Sequence, residues 1–471
     1  MAKEYYTTIG LEIHAELNTA SKMFCGCVNN PDEEKPNMNI CPVCMAHPGT
    51  LPVINKKAVE SVIKVGLALG ATIADFTEFD RKNYFYPDIP KAYQISQYKF
   101  PIVSGGELKG VAITRVHLEE DTANSKHDRG NYSLVDFNRA GVPLMELVTE
   151  PVIKSAKQAG DFGRELQLLL RYLRVSEANM EKGQMRVELN ISICDNPDLL
   201  GTKCEVKNIN SFRSVERAAE YEINRMTELL EAGRGDEIVQ ETRGWDESKQ
   251  ATFSQRSKEN ANDYRYFPDP DLPKLYLSKA FDMEMLKNSL PELPTAKRTR
   301  YKSEYGIKDE DIESYINDKA LASWFEDSAK ILNDKEKIKT ASNYITSDYV
   351  GLKKNNPTIS APSAPNFAEL ITMVAEGRVS SRAAKDILAM IVVADESPLK
   401  IAEEKDLLQK NDEGTLKDIV QNIITANPQI ITVYKSGKEN ALMSLVGQVM
   451  KETKGSANPA LVQKLLKELI V

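Results

Sequence analysis

The chain has 471 residues, 41% hydrophobic and 28% charged, with 61 Lys and Arg against 69 Asp and Glu. That length accommodates two or three domains, each with its own core. A net charge of −8 argues against loose, non-specific nucleic-acid binding, and no run approaches the roughly 18 apolar residues of a membrane span.

Met1-Ala-Lys-Glu-Tyr-Tyr leads straight into a strand without a signal or transit segment, so a cytoplasmic chain is expected. Read with period two, that strand puts Leu11, Ile13, Ala15 and Leu17 on one face and Glu12, His14, Glu16 and Asn18 on the other. Neighbours on that face, Glu12–His14 and His14–Glu16, are about 7 Å apart, a distance at which two like charges repel by about 2.4 kcal/mol at an effective dielectric near 20. An oxygen-seeking divalent cation offsets that repulsion; a plain solvated face is the alternative.

Cys25-Gly-Cys27 and Cys41-Pro-Val-Cys44 follow, thirteen residues apart. Two short Cys pairs flanking a loop fit a tetrahedral structural Zn²⁺, although the first is C-x-C rather than the commoner C-x₂-C. A redox pair, buried thiols, or His47 in place of one thiolate stay open. Asn55 to Gly70 has helical spacing, and Phe79 to Lys91 reads as an aromatic, charged loop closed by prolines.

Ile113 to Asp121 is a second strand, with Arg115, His117 and Glu119 on one face and Glu120 and Asp121 in the acidic run at its end. Leu144 to Pro151 is a third, with Glu146 and Glu150 on one face. Strand-borne carboxylates with an occasional His suit Mg²⁺ or Mn²⁺, ions that usually bind a phosphorylated substrate too. Glu12, His14, Glu16, Arg115 and His117 are therefore candidate catalytic residues for phosphoryl transfer.

Lys154 to Leu173 reads as a helix. Met185 to Ile193 is an alternating strand that pairs with Lys203 to Asn210, and a helix runs from about Ser214 to Glu231. Cys194 and Cys204 read as core or near-core. The character changes after Pro291-Glu-Leu-Pro294: residues 1–293 form an α+β domain, 294–402 a helical domain and 403–471 a small three-helix tail. The softer boundary lies at Ser397-Pro and Asn411-Asp-Glu-Gly414.

Neither a P-loop nor a dinucleotide fingerprint is present. A nucleotide would need metal plus basic side chains, for which Arg81, Lys82, Lys91, Arg139, Arg186, Lys207 and Arg265 are candidates. Singly, each is also an ordinary solvated charge or salt-bridge partner.

Several motifs resemble one family, the B subunits of the aspartyl/glutamyl-tRNA(Asn/Gln) amidotransferase. They are Gly10-Leu-Glu-Ile-His-Ala-Glu-Leu17, Cys41-Pro-Val-Cys44, Phe79-Asp-Arg-Lys-Asn-Tyr-Phe-Tyr-Pro-Asp88 and His117-Leu-Glu-Glu-Asp121. Asp136-Phe-Asn-Arg-Ala-Gly-Val-Pro-Leu144 and Asp263-Tyr-Arg-Tyr-Phe-Pro-Asp-Pro-Asp-Leu-Pro273 join them. In the tail, so do Val446-Gly-Gln-Val-Met-Lys451, Gly455 and Asn458-Pro.

The resemblance implies an antiparallel-sheet cradle like that of glutamine synthetase and the guanido kinases, with a helical tail contacting tRNA. It implies phosphorylation by ATP of the side-chain carboxylate of mischarged Glu-tRNA(Gln) or Asp-tRNA(Asn). Ammonia from a partner amidase (glutaminase), the A subunit, then displaces phosphate, and a small C subunit clamps the two. It places Mg²⁺ at Glu12, His14, Glu119 or Glu120, and Glu146 or Glu150, and makes zinc at Cys25, Cys27, Cys41 and Cys44 structural.

Two departures stand out: Met45-Ala46-His47 replaces the usual Leu-Gly-Leu, and Ala15 a commoner Val. Longer archaeal relatives carry an extra domain, for which 471 residues leave no room, so the three-subunit bacterial type is implied. A kinase or ligase acting on a free small molecule, and a non-catalytic tRNA-binding scaffold, are the competing readings.

Overall fold

The computed structural model describes residues 4–126, 130–257, 264–409, 413–438, 440–453 and 457–470. Asp263, Gly455 and residues 411–412 of the softer boundary lie outside them. Contacts divide the chain into two compact units, Met1–Pro294 and Thr295–Val471.

The first unit combines strands and helices, an α+β arrangement. Its main strands are β1 (Tyr6–Glu16), β2 (Asp80–Asn83), β3 (Tyr93–Ser96), β4 (Val111–Glu120), β5 (Pro143–Thr149), β6 (Met185–Cys194), β7 (Cys204–Lys207), β8 (Glu241–Asp246) and β9 (Ala251–Ser257). Among the described residues a ten-stranded sheet runs in the order β9-β8-β7-β6-β1-β5-β4 and continues through Val103–Ser104 to Thr72–Ile73, with Glu107–Leu108 paired to β4. All pairs are antiparallel except β7 with β8, which are parallel. The antiparallel sheet implied by the resemblance is departed from at that one pair, where the 20-residue helix Phe212–Glu231 supplies the crossover a parallel connection requires.

Alternation in β1 and β6 makes one sheet face apolar. Ile9, Leu11, Ile13 and Ala15 join Met185, Val187, Leu189 and Ile191 in a single core, completed by the helices α1 (Lys56–Ala68), α2 (Ala156–Tyr172) and α3 (Phe212–Glu231). Each fully buried Leu or Ile there contributes about 1.5–3 kcal/mol. Asn55, Ser155 and Ser211 cap the three helices, each side chain accepting from backbone N–H groups of the first turn. With the helices packed into that apolar core, the opposite face of β1 carries Glu12, His14 and Glu16, the row on which the candidate site is built.

The 79–91 stretch is more ordered than a loop. β2 pairs with β3 and with Phe267–Pro268, forming a small three-stranded sheet.

The second unit is helical. An aromatic core gathers Tyr301, Tyr305, Tyr315 and Phe325, with Tyr315 stacked on Phe325 at 4.4 Å. Among the described residues the tail has four helices rather than three: Glu413–Ala426, Pro428–Lys435, Asn440–Glu452 and Pro459–Ile470. Proline opens two of them, at the Asn427-Pro and Asn458-Pro steps, where its missing N–H costs nothing. Val420, Leu445, Val449, Val462 and Leu466 form the tail's own apolar core. Among the described residues no helix is long and apolar enough to cross a membrane.

Candidate active site

Strand register assembles a carboxylate–imidazole cluster. His14 on β1 lies opposite Glu146 on β5, and Glu146 lies opposite His117 on β4, two residues before Glu119. His14 Nε2 is 3.4 Å from both Glu119 Oε1 and Glu146 Oε2, and His117 Nε2 is 3.4 Å from Glu146 Oε2. Glu12, His14 and Glu146 form one group with ligand atoms within 4.8 Å, and His117, Glu119 and Glu146 form another. Arg115 reaches Glu146 Oε1 at 3.5 Å, and the Ser96 hydroxyl on β3 donates to Glu119 at 3.2 Å. His117 Nδ1 is buried and has no hydrogen-bond partner among the described residues.

The electrostatics follow from burial and crowding. Burial, then Glu146 and Glu188, push the Glu12 carboxyl up. Burial acts the same way on Glu146, but His117 and His14 outweigh it and hold Glu146 well below the usual range. Glu119 is likewise lowered, its hydrogen bond from His14 overcoming desolvation. For His14, burial works against the imidazolium, yet Glu119 and Glu146 hold its pKa well above the ordinary value. Lys82 stands nearby with its ammonium 5.0 Å from the Tyr264 ring centre, and Glu119 and Glu146 help keep it charged against burial. Such an array favours a cation.

A second charged group adjoins the first on β1. Arg186 donates to Asp121 at 2.7 Å, and Arg139 Nε is 3.6 Å from the same oxygen. Burial and Asp121 push Glu16 up to about 8 against the opposing pull of Arg186 and Arg139. Further along, Lys207 bridges Glu188 at 2.6 Å and Glu205 at 3.1 Å.

The four sulfurs of Cys25, Cys27, Cys41 and Cys44 lie within 4.8 Å of one another, with Cys41 and Cys44 3.9 Å apart. The Cys41 amide donates to Cys44 Sγ at 3.1 Å. A hydrogen bond from the Cys25 thiol, then the Cys41 amide and the charge of Lys22, bring Cys44 down to about 5 despite burial. Four converging soft donors fit a tetrahedral thiolate centre. His47 is outside this group.

Residues 7–282 match the family model described as the GatB/GatE catalytic domain, and residues 323–470 the one described as the GatB domain. The chain belongs to the family of aspartyl/glutamyl-tRNA(Asn/Gln) amidotransferase B subunits. It is 44% identical over 482 residues to the B subunit of Brevibacillus brevis, covering 99% of each chain. The B subunit of Caldanaerobacter subterraneus is 45% identical over 477 residues, again covering 99% of each. That of Persephonella marina is 44% identical over 480 residues, covering 99% of this chain and 100% of its own.

Within this member of the B-subunit family, four residues expected at the site are held elsewhere. Glu120 points to the opposite side of β4 from Glu119, where it pairs with Lys91 at 2.6 Å and accepts from the Ile95 amide. Adjacent strand residues face opposite ways, so Glu119 and Glu120 lie on different sides of β4; Lys91 goes with Glu120, paired to it. Glu150 lies four residues beyond Glu146, about 13 Å along an extended chain, and accepts from the Thr114 hydroxyl at 2.8 Å. Arg81 is committed to Asp269 at 2.8 Å and Asp271 at 2.9 Å, with its guanidinium over the Tyr93 ring at 4.3 Å.

Arg81→Ala is therefore expected to destabilise the first unit by about 3 kcal/mol, because the buried Asp269 carboxylate is left unpaired. Urea unfolding followed by tryptophan fluorescence checks it; a change below about 1 kcal/mol, ordinary for a surface ion pair, contradicts the structural role.

Arg265 is exposed, with a left-handed backbone at φ 44°. Ser96, Asp121 and Glu188 also belong to the polar constellation but were not singled out as site residues. Asp121 carried a signal as the last of the acidic run, and Glu188 as part of the polar side of the alternating Met185–Ile193 strand; Ser96 carried none.

Proposed function

We propose that this chain is the synthetase component of a tRNA-dependent amidotransferase, a carbon–nitrogen ligase with glutamine as amido donor. It phosphorylates the side-chain carboxylate of mischarged Glu-tRNA(Gln) or Asp-tRNA(Asn) with ATP and then amidates it. The observation that carries this reading is the Glu12–His14–His117–Glu119–Glu146 cluster on the sheet, inside the matched catalytic domain.

A carboxylate is a poor acyl electrophile because oxide would have to leave. In the proposed reaction a side-chain oxygen attacks the γ-phosphorus, the bond to the ADP oxygen breaks, and an acyl phosphate forms. Ammonia then attacks the carbonyl carbon, the C–O bond to phosphate breaks, and the nitrogen gives up a proton. Glu12, His14, Glu119 and Glu146 offer oxygen and nitrogen donors that suit Mg²⁺, with His117 Nδ1 uncommitted. Bound there, Mg²⁺ would neutralise the charge of the transferring phosphoryl group.

Lys82 and Arg115 bring positive charge to the same edge. Arg186, Arg139 and Lys207 hold the flanking carboxylates in fixed directions, which positions the site rather than gripping phosphate. Cys25, Cys27, Cys41 and Cys44 would hold a structural Zn²⁺.

That the relatives are named as B subunits supports work alongside partners: an amidase supplying ammonia and a small clamping protein, in a cytoplasmic heterotrimer. The cradle likeness to glutamine synthetase and the guanido kinases, and tRNA contact by the helical tail, belong to the same proposal.

The decisive experiment combines this chain with its partner subunits, mischarged Glu-tRNA(Gln), Mg²⁺ and γ-labelled ATP, without an ammonia donor. Label on the glutamyl group, or phosphate release requiring the mischarged tRNA, is the expected result. Bound tRNA with untouched ATP would instead make the cluster structural and the chain a scaffold.

A further inference from the structure

A row of aromatic rings leads from the surface to the carboxylate cluster. Tyr98 is 63% exposed, yet its ring already stacks on Tyr266 at 4.4 Å with planes 10° apart. Tyr266 meets Tyr264 at 6.0 Å, and Tyr264 meets Tyr84 at 5.9 Å. Lys82 lies over the Tyr264 ring. The inner end of the row borders the cluster through β2: Lys82, two residues before Tyr84, lies over Tyr264, and β2 pairs with β3, whose Ser96 hydroxyl donates to Glu119. The outer end is held near it through the backbone: Ser96, which donates to Glu119, is two residues before Tyr98.

The ledge is rigidly built. The Tyr98 amide donates to Asp80 at 2.9 Å, and the Asn83 amide donates to the Tyr264 carbonyl at 2.9 Å. Phe267 pairs with Arg81, whose guanidinium is fixed by Asp269 and Asp271. A preorganised, solvent-facing tyrosine pair offers what a flat base requires, a π-face held in place before the ligand arrives.

We propose that Tyr98 and Tyr266 stack the 3′-terminal adenine of the mischarged tRNA, placing its aminoacyl side chain along the tyrosine row toward Glu119 and Glu146. This assignment rests on the amidotransferase reading above. ATP also carries adenine, but two charged phosphate groups separate that base from its reacting phosphorus. The row from Tyr98 to the cluster carries three further tyrosines and Lys82, and Arg81 beside it is already paired. Between the terminal adenine of a tRNA and the reacting carboxylate lie a ribose, an ester and a short aliphatic chain that bears one α-amino group. That phosphate-free span matches an aromatic wall, whose ring faces also accept an α-ammonium.

The test uses the complete complex with its partner subunits. Tyr98→Leu is expected to raise the KM for Glu-tRNA(Gln) about tenfold while the KM for ATP stays within about twofold, and Tyr98→Phe should restore the wild-type value. A tRNA with 2-aminopurine at its 3′ terminus should lose fluorescence on binding the wild type, but not Tyr98→Leu. An unchanged tRNA KM in Tyr98→Leu overturns the assignment. So does a rise confined to the ATP KM, which would put the nucleotide's adenine on the ledge. Should the wild-type complex turn over no ATP with mischarged tRNA, the functional reading fails instead, and the 2-aminopurine signal still reports base stacking independently.

Discussion

Glu146→Gln is expected to lower mischarged-tRNA-dependent ATP turnover by about 10³-fold, several kcal/mol of charge stabilisation at 1.36 kcal/mol per tenfold. Glu146 is the vertex common to both ligand groups, within 3.5 Å of His14, His117 and Arg115. The amide keeps the shape but carries no charge, and its NH₂ group cannot accept from an imidazole. tRNA affinity should stay within about twofold, since removing an interaction made in the transition state lowers kcat without loosening substrate. Single-turnover phosphate release and a filter-binding titration separate the two effects. Turnover within tenfold of the wild type would sink the cluster as the site of chemistry.

Cys44→Ser is expected to abolish zinc retention, from about one ion per chain to none, and to lower the melting temperature of the complex by several degrees. Cys44 is the buried member of the four, set against Gly141, whose φ of +83° turns the chain beneath it. The same strand-to-loop turn feeds β5, so losing the thiolate loosens a support of the site without touching a carboxylate ligand. Elemental analysis after desalting and a thermal scan check both parts, with turnover at 25 °C expected to stay within about threefold if the proposed centre is structural rather than catalytic. Full zinc retention by Cys44→Ser would mean that another donor, with His47 the nearest in sequence, completes the coordination.

The chemistry of the site was largely visible in short stretches. Alternation placed Glu12 and His14 on one side of β1 and His117 and Glu119 on one side of β4, because a strand's period of two is a backbone property. The Cys spacing was equally local, since each short pair brings two sulfurs together whatever the rest of the chain does. The parallel pairing of β7 with β8 was not visible. It depends on how α3 carries the chain over the sheet, and both strands read alike in either direction.

The chain's own residue order determined which side chains exist on each face, where the apolar core must lie, and which family the motifs resemble. Tertiary structure alone decided which of those charges meet. Strand register chose Glu146 over Glu150 and brought it to His14 across 132 positions (14 to 146), while Glu120 turned away to Lys91. Arg81 found its partner 188 residues away, in Asp269. The direction of a side chain is set by its own backbone. The identity of its partner is set by the stagger between strands and by chain segments that no local pattern encodes, and at 3.3 Å per residue one step of register is enough to exchange one ion pair for another.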